Sequence, residues 1–180
     1  MKYLFIVLFV FTISGCRVIR DSLYQNTNIY VGAAVTLDEI EKDSAAMRVM
    51  QADFNSMTAE NAMKMKQVLT GRGEYNWNGP DRYIAFAKRN NLRLHGHALL
   101  WHQSVPDWVK HISDKEQLRS VLSEYITDYV KHVDDGVKSW DVVNEAISDS
   151  AGLFRNSIFY NAFGKSFIAE AFNLANKANP

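Results

Sequence analysis

At 180 residues and 47% hydrophobic content, the chain is long enough to bury one substantial core and too apolar to be disordered. Its 20 basic and 20 acidic residues give zero formal charge, and no Lys/Arg run stands out, so nothing in the composition supports a nucleic-acid partner.

In chain order, residues 1–16 come first as an export signal. Lys2 supplies a positive charge, Leu4 to Phe11 is continuously apolar, and Thr12-Ile13-Ser14-Gly15 brings small residues before Cys16. The apolar run falls far short of the roughly twenty residues a spanning helix needs. Ile13-Ser14-Gly15-Cys16 resembles the bacterial lipobox, in which the cysteine is lipidated and becomes the first mature residue. Cys16 is the 1 cysteine of the chain, so lipidation accounts for a thiol that no internal disulfide can use. The implied protein is an exported cell-surface or periplasmic lipoprotein held to the membrane through Cys16. The alternative is a coincidental cysteine after an ordinary signal. Residues 17–28 read as a polar tether.

The folded body is expected over residues 29–180. Ile29 to Val35 reads as a first strand and Asp38 to Met50 as a helix. Ala52 to Met57 is a weaker strand, placed mainly by its position between helices. Asp81 to Asn90 is helical, with Pro80 near its start. Leu92 to Leu100 is a third strand. The next helix carries one apolar stripe through Leu118, Val121, Leu122, Tyr125, Tyr129 and Val133, and Ser113-Asp114-Lys115-Glu116 before it fits a capping box. Val137 to Asn144 is the fourth strand. Phe159 to Asn179 is a final helix with Phe163, Phe167, Ala171, Phe172 and Ala175 inward, ended by Asn179-Pro180.

Strands alternating with helices of this length require parallel pairing through right-handed crossovers. The architecture is therefore an open α/β sheet or a closed (β/α)8 TIM barrel. No Gly-x-Gly-x-x-Gly or Walker pattern follows the first strand, which disfavours a nucleotide-binding open sheet. A barrel fits the pattern but not the length, since about 250 residues is typical for that fold. Only the first four β/α units are expected.

Polar and aromatic groups gather at the carboxyl ends of strands two, three and four, where a barrel builds its active site. Thr58-Ala59-Glu60-Asn61-Ala62-Met63-Lys64 follows strand two, Gly96-His97-Ala98-Leu99-Leu100-Trp101-His102 ends strand three, and Trp140-Asp141-Val142-Val143-Asn144-Glu145 ends strand four. Carboxylates, amides, a lysine and an indole together suit a sugar, whose hydroxyls need paired donors and acceptors and whose apolar face stacks on an aromatic ring. Each cluster also has a plainer explanation. Glu145 could be a loop-facing surface carboxylate, Glu60-Asn61-Lys64 a solvated first helical turn, and Asp141 a carboxylate satisfied inside the core. His95, His97 and His102 lack the His-Glu-x-x-His spacing and any cysteine partner, so no metal is expected. No Gly-x-Ser-x-Gly elbow marks a serine hydrolase, and no cofactor is implied. His97 reads as a satisfied polar group beneath a sugar site.

These three motifs, with Pro106-Asp107-Trp108 after the second, resemble the successive signatures of glycoside hydrolase family 10, the endo-β-1,4-xylanases. The resemblance runs from about Ile29 to Pro180 and implies a (β/α)8 barrel that cleaves xylan with retention of configuration. It implies that Glu145 is the acid/base catalyst and that Asn144 holds the sugar 2-hydroxyl and the nucleophile. Glu60, Asn61 and Lys64 resemble the glycone-binding set, and His97 and Trp101 the groups under the sugar next to the scissile bond. The family usually places a glutamine two residues before the proline. Here Ser104 occupies that place and Gln103 precedes it, which puts a role for Gln103 in doubt.

A retaining glycosidase needs a second carboxylate about 5–5.5 Å from the acid. The family supplies it from a Thr-Glu-Leu-Asp-like segment on a late strand, and no such segment occurs in this sequence. After Glu145 the carboxylates are Asp149 in a loop and Glu170 within the last helix. The sequence thus reads as the amino-terminal half of a xylanase barrel, inactive on xylan by itself. Strands one and four would have open edges and the inner apolar face no cover, so poor solubility, self-association or a complementing barrel half is expected. The competing readings are a carbohydrate-binding lipoprotein without turnover, and a non-functional remnant.

Overall fold

The computed structural model describes residues 24–25, 28–150 and 152–180. The expected export signal, Cys16 and most of the tether lie outside them. Among the described residues the chain runs through β1 (Gly32–Val35), α1 (Leu37–Ile40), α2 (Ser44–Asp53), β2 (Ser56–Ala59), α3 (Met65–Val68), β3 (Leu69–Gly71) and β4 (Glu74–Tyr75). It continues through α4 (Asn78–Arg89), β5 (Arg93–Trp101), α5 (Asp107–Lys110), α6 (Lys115–Val133), a 3-10 turn (Asp134–Gly136), β6 (Ser139–Asn144), α7 (Ile158–Phe163) and α8 (Ser166–Ala178).

Strands β1, β2, β5 and β6 form a parallel sheet in that order. Each strand is joined to the next by a helical crossover, as short loops cannot connect parallel neighbours. The strand expected at Ala52–Met57 sits later: Ala52 and Asp53 finish α2, and β2 is Ser56–Ala59. The helix expected over Asp38–Met50 is two helices. Asp43 breaks it by capping a new start, its Oδ1 accepting from Ala45 N at 2.8 Å and Ala46 N at 3.1 Å. The final helix is likewise divided at Gly164, whose φ of 60° ends α7. Before α6 the capping side chain is Asp114, accepting from Gln117 N at 2.6 Å, rather than Ser113.

The apolar core lies between the sheet and its helices. Met57 and Leu94, paired across β2 and β5, face this layer and are 0% and 1% exposed. Helix α6 buries Leu118, Val121, Leu122, Tyr125, Tyr129 and Val133, the stripe expected from its periodicity. Its two buried tyrosines keep their hydroxyls satisfied, Tyr125 donating to the Leu99 carbonyl and Tyr129 to the Met63 carbonyl. Helix α8 packs on α6 with Phe167, Ala171 and Ala175 buried. Phe172, expected inward, is 51% exposed. An i, i+1 neighbour of Ala171 lies about 100° round the helix from it and leaves the buried stripe.

The opposite sheet face corrects the expectation of an uncovered apolar surface. Register places Gly32, Ser56 and Arg93 in one row, Ala34, Thr58, His95 and Ser139 in the next, and His97 with Asp141 above them. That face is small and polar. Between His97 and Leu100 the register slips: Ala98 and Leu99 on β5 stand against Val142 alone on β6. The bulge draws Trp101 back to oppose Asn144, beside Glu145. The His97–Ala98 peptide is cis.

Candidate active site

The carboxyl ends of β2, β5 and β6 bring the sequence-predicted residues to one end of the sheet. After β2, residues Glu60 to Lys64 form a turn that precedes α3, not a first helical turn, with Lys64 as the cap residue of α3. Met63 and Met65, both 0% exposed, anchor the chain on either side of Lys64, which is itself buried at 9% exposure. The ammonium donates to Asn61 Oδ1 at 2.9 Å and lies 4.6 Å from the centre of the Trp101 ring, a cation over an aromatic face. Two strand ends are joined in this way. Glu60 is exposed beside Asn61, and both open onto a cleft of about 700 Å³ that continues past Thr36 and Glu39.

Trp101 also connects β5 to β6. Its indole Nε1 donates to Glu145 Oε2 at 3.0 Å. The Glu145 side chain is 42% exposed, so the carboxylate is held but accessible. Its backbone has a φ of 52°, in the left-handed region a glutamate occupies only when its surroundings hold it there. The holding group is Arg155, a residue sequence reasoning did not single out. Arg155 donates from Nε to the Glu145 carbonyl at 3.0 Å, from a terminal nitrogen to the Ile147 carbonyl at 3.3 Å, and from its backbone N to the Ala146 carbonyl at 2.8 Å. The same guanidinium pairs with Asp149 at 3.3 Å. Asn144 is half-buried at the last position of β6.

His97 lies under this group, its ring 5.9 Å from that of Trp101. Its Nδ1 is 2.8 Å from Asp141 Oδ2, and His95 Nε2 reaches the same oxygen at 3.2 Å. The Asp141 carboxylate is satisfied, with histidines as its partners, but it stands on the polar sheet face with its side chain 43% exposed and not inside the core. Partial burial pushes the Asp141 carboxyl upward, but hydrogen bonds from His97 and His95 outweigh that and the net shift is downward. His102 stands apart from that pair. Its Nδ1 is buried without a hydrogen-bond partner and lies 3.9 Å from Glu145 Oε2. Burial, then the Arg155 charge, lowers the His102 pKa against the opposing pull of Glu145 and Asp149. Among the described residues no group of three or more His, Cys, Asp or Glu is placed to hold a metal ion. Gln103 is exposed.

A larger cleft, about 890 Å³ and lined by Tyr30, Asn55, Lys88, Arg93 and Lys138, opens at the amino ends of the strands. Parallel α/β folds of this kind keep their chemistry at the carboxyl ends, where Glu145 is.

Comparison with known proteins agrees with this geometry. A family model described as Glycosyl hydrolase family 10 matches residues 19–180. Endo-1,4-beta-xylanase B of Thermotoga neapolitana is 36% identical over 164 residues, covering 88% of this chain and 46% of the relative. Endo-1,4-beta-xylanase 3 of Hypocrea jecorina is 32% identical over 152 residues, covering 84% of this chain and 43% of the relative. Xylanase 10B from Thermotoga petrophila, solved with xylobiose, superposes with a TM-score of 0.78 at 38% identity over 85% of this chain and 47% of that one. Native xylanase10C from Cellvibrio japonicus superposes with a TM-score of 0.83 at 33% identity over 89% of this chain and 37% of that one. The chain spans about half the length of the curated relatives it matches, and the four parallel β/α units are part of the TIM-barrel type. With the matched residues running from 19 to 180 and three signature segments meeting at one end of the sheet, the chain belongs to glycosyl hydrolase family 10.

Proposed function

We propose that this chain supplies the acid/base side of a retaining endo-1,4-β-xylanase site, with Glu145 as the proton donor and acceptor. The observation that carries this reading is the hydrogen bond from Trp101 Nε1 to Glu145 Oε2 at a strand's carboxyl end, beside Lys64 and above His97. Glu145 hands its proton to the leaving glycosidic oxygen and, once ionised, takes one from the attacking water. Asn144, Glu60, Asn61 and Lys64 hold the sugar hydroxyls, and His97 and Trp101 line the sugar next to the scissile bond. The xylobiose in the Thermotoga petrophila structure supports a β-1,4-xylosyl ligand for this class of site.

The covalent route also needs a carboxylate nucleophile. Asp149 is paired with Arg155, and Glu170 is engaged by Arg119 on the helix layer. We therefore assign the nucleophile to sequence beyond these 180 residues or to a separate complementing chain. The test is reducing-sugar release from xylan by the 180-residue chain, alone and mixed with the carboxyl-terminal half of a family 10 barrel. Activity is expected only in the mixture, with Glu145→Gln lowering it by about 10²–10⁴-fold, the usual contribution of a general acid. Glu145-dependent hydrolysis by the chain alone would overturn the assignment.

Sugar binding without turnover is the second reading, supported by the Lys64, Asn61 and Trp101 contacts being complete within this chain. Saturable xylobiose binding with no hydrolysis in any mixture would favour it. Export and membrane attachment through Cys16 belong to the same proposal. They predict a lipid-modified Cys16 by mass spectrometry of the membrane fraction and release into the soluble fraction on Cys16→Ser.

A further inference from the structure

Below the Trp101–Glu145 contact, β5 and β6 carry a second set of polar side chains on the same face. Register sets His95 opposite Ser139 and His97 opposite Asp141, so the four stand in two adjacent rungs. Arg93 approaches from the strand's amino end, donating to Ser139 Oγ at 2.7 Å and to the Lys138 carbonyl at 3.0 Å. Ser139 Oγ lies 2.7 Å from His95 Nδ1. His95 Nε2 and His97 Nδ1 then converge on Asp141 Oδ2, at 3.2 and 2.8 Å.

With both imidazoles neutral, the protons in this chain have one consistent arrangement. A guanidinium can only donate, so Ser139 Oγ accepts from Arg93. An ionised Asp141 can only accept, so a neutral His95 turns an Nε2–H toward it and its bare Nδ1 takes the Ser139 hydrogen. An ionised carboxylate can only accept, so His97 must carry its proton on Nδ1. The two histidines are therefore opposite tautomers, and the ring nitrogen of His97 left with a lone pair is Nε2.

We propose that Arg93, Ser139 and His95 are positioning residues that act through Asp141 to lock His97 as its Nδ1–H tautomer, presenting Nε2 as an acceptor for a sugar hydroxyl. The proposal rests on the sugar-site reading above and adds to it the group on the enzyme that receives the hydroxyl proton and the residues that determine this. Without His95 the carboxylate has one partner and can rotate; without Ser139, His95 can exchange its proton between nitrogens and turn a lone pair on Asp141.

The test is long-range ¹⁵N–¹H NMR on the full chain carrying ¹⁵N-labelled histidine, at a pH where the imidazoles are neutral. His97 is expected to show a protonated Nδ1 and an unprotonated Nε2, and His95 the reverse. Ser139→Ala is expected to give mixed tautomers at both rings and about tenfold weaker xylobiose binding, the value of one such hydrogen bond. His95→Phe should do the same, while His95→Gln, whose amide both accepts and donates, should restore the His97 pattern. Identical tautomers at the two histidines, or an unchanged His97 in Ser139→Ala and His95→Phe, would overturn the relay. If the tautomers are as stated but added xylobiose leaves the His97 Nε2 resonance unmoved, the relay stands and the sugar-site reading fails.

Discussion

A glutamate with a φ of 52° is an uncommon conformation, and at Glu145 it is maintained by a residue ten positions later in the chain. Arg155 donates to the carbonyls of Glu145 and Ile147 while its backbone N closes on Ala146. One side chain thus braces the turn that aims the carboxylate at Trp101 Nε1. Charge-assisted hydrogen bonds of this kind contribute about 1.5–3 kcal/mol each when removed, one to two orders of magnitude in a local opening equilibrium. Arg155→Ala is therefore expected to speed amide exchange at Ser148 and Arg155 by at least roughly tenfold, because their bonds to Leu153 and Ala146 close this loop. Val142 and Val143, inside β6, should exchange as before. Equal protection of the loop amides in both proteins would show that the turn holds itself. Nothing in the sequence ties Arg155 to Glu145, since the connection is made by backbone carbonyls, which carry no residue signature. Asp141 was legible as a satisfied carboxylate, but its partners became clear only once β5 was set beside β6.

At the scale of elements, the joint between β5 and β6 has a steric requirement at Gly96. A Cβ added there would fall 2.3 Å from Trp140 Cε3, far inside contact distance. Trp140 cannot easily yield, because its ring meets Tyr129 edge-on at 5.1 Å. Gly96→Ala is expected to destabilise the chain by about 1–3 kcal/mol, the range for overpacking a filled core, and Trp140→Leu in the same chain should recover part of it. Urea denaturation of the two single variants and the double checks this; strictly additive losses would show that the two positions do not meet. These same two strands were the ones best anticipated, Leu92–Leu100 against an observed Arg93–Trp101 and Val137–Asn144 against Ser139–Asn144. Both are long enough for polar and apolar residues to alternate visibly. β2 is 4 residues, too short for a period to register. The β3–β4 hairpin was missed although Arg72-Gly73, with φ 70° at Gly73, is a turn signal, because its strands are only 3 and 2 residues long. It is held instead by side chains: Tyr75 stacks on Trp77 at 4.5 Å, and Trp77 on His132 of α6 at 4.0 Å.

For the whole molecule, the decisive feature is where the sheet offers contacts. In the order β1-β2-β5-β6, the outer edges of β1 and β6 have no strand beside them among the described residues, and open edges recruit other chains. The inner face does not add to that tendency, being lined by Arg93, His95, His97, Ser139 and Asp141. The sticky part is outside, where Phe172, 51% exposed, joins Trp140, Val142 and Ala175 around a groove of about 390 Å³ beside β6. Asp135, Lys138 and Asn176 also line this mixed groove, and its apolar side chains next to an open strand edge favour association through that edge over stacking of sheet faces. The 180-residue chain is accordingly expected to elute from size exclusion larger than a monomer, in a concentration-dependent way. Phe172→Lys places a charge in the groove without touching the buried stripe of α8, so it should shift the chain toward monomer with its helical circular dichroism unchanged. Adding a complementing family 10 half should compete with the self-association and be weakened by the same substitution. A stable, monodisperse monomer at all concentrations would mean that the edge of β6 is already protected, and it would remove the reason to expect a partner on that side of the sheet.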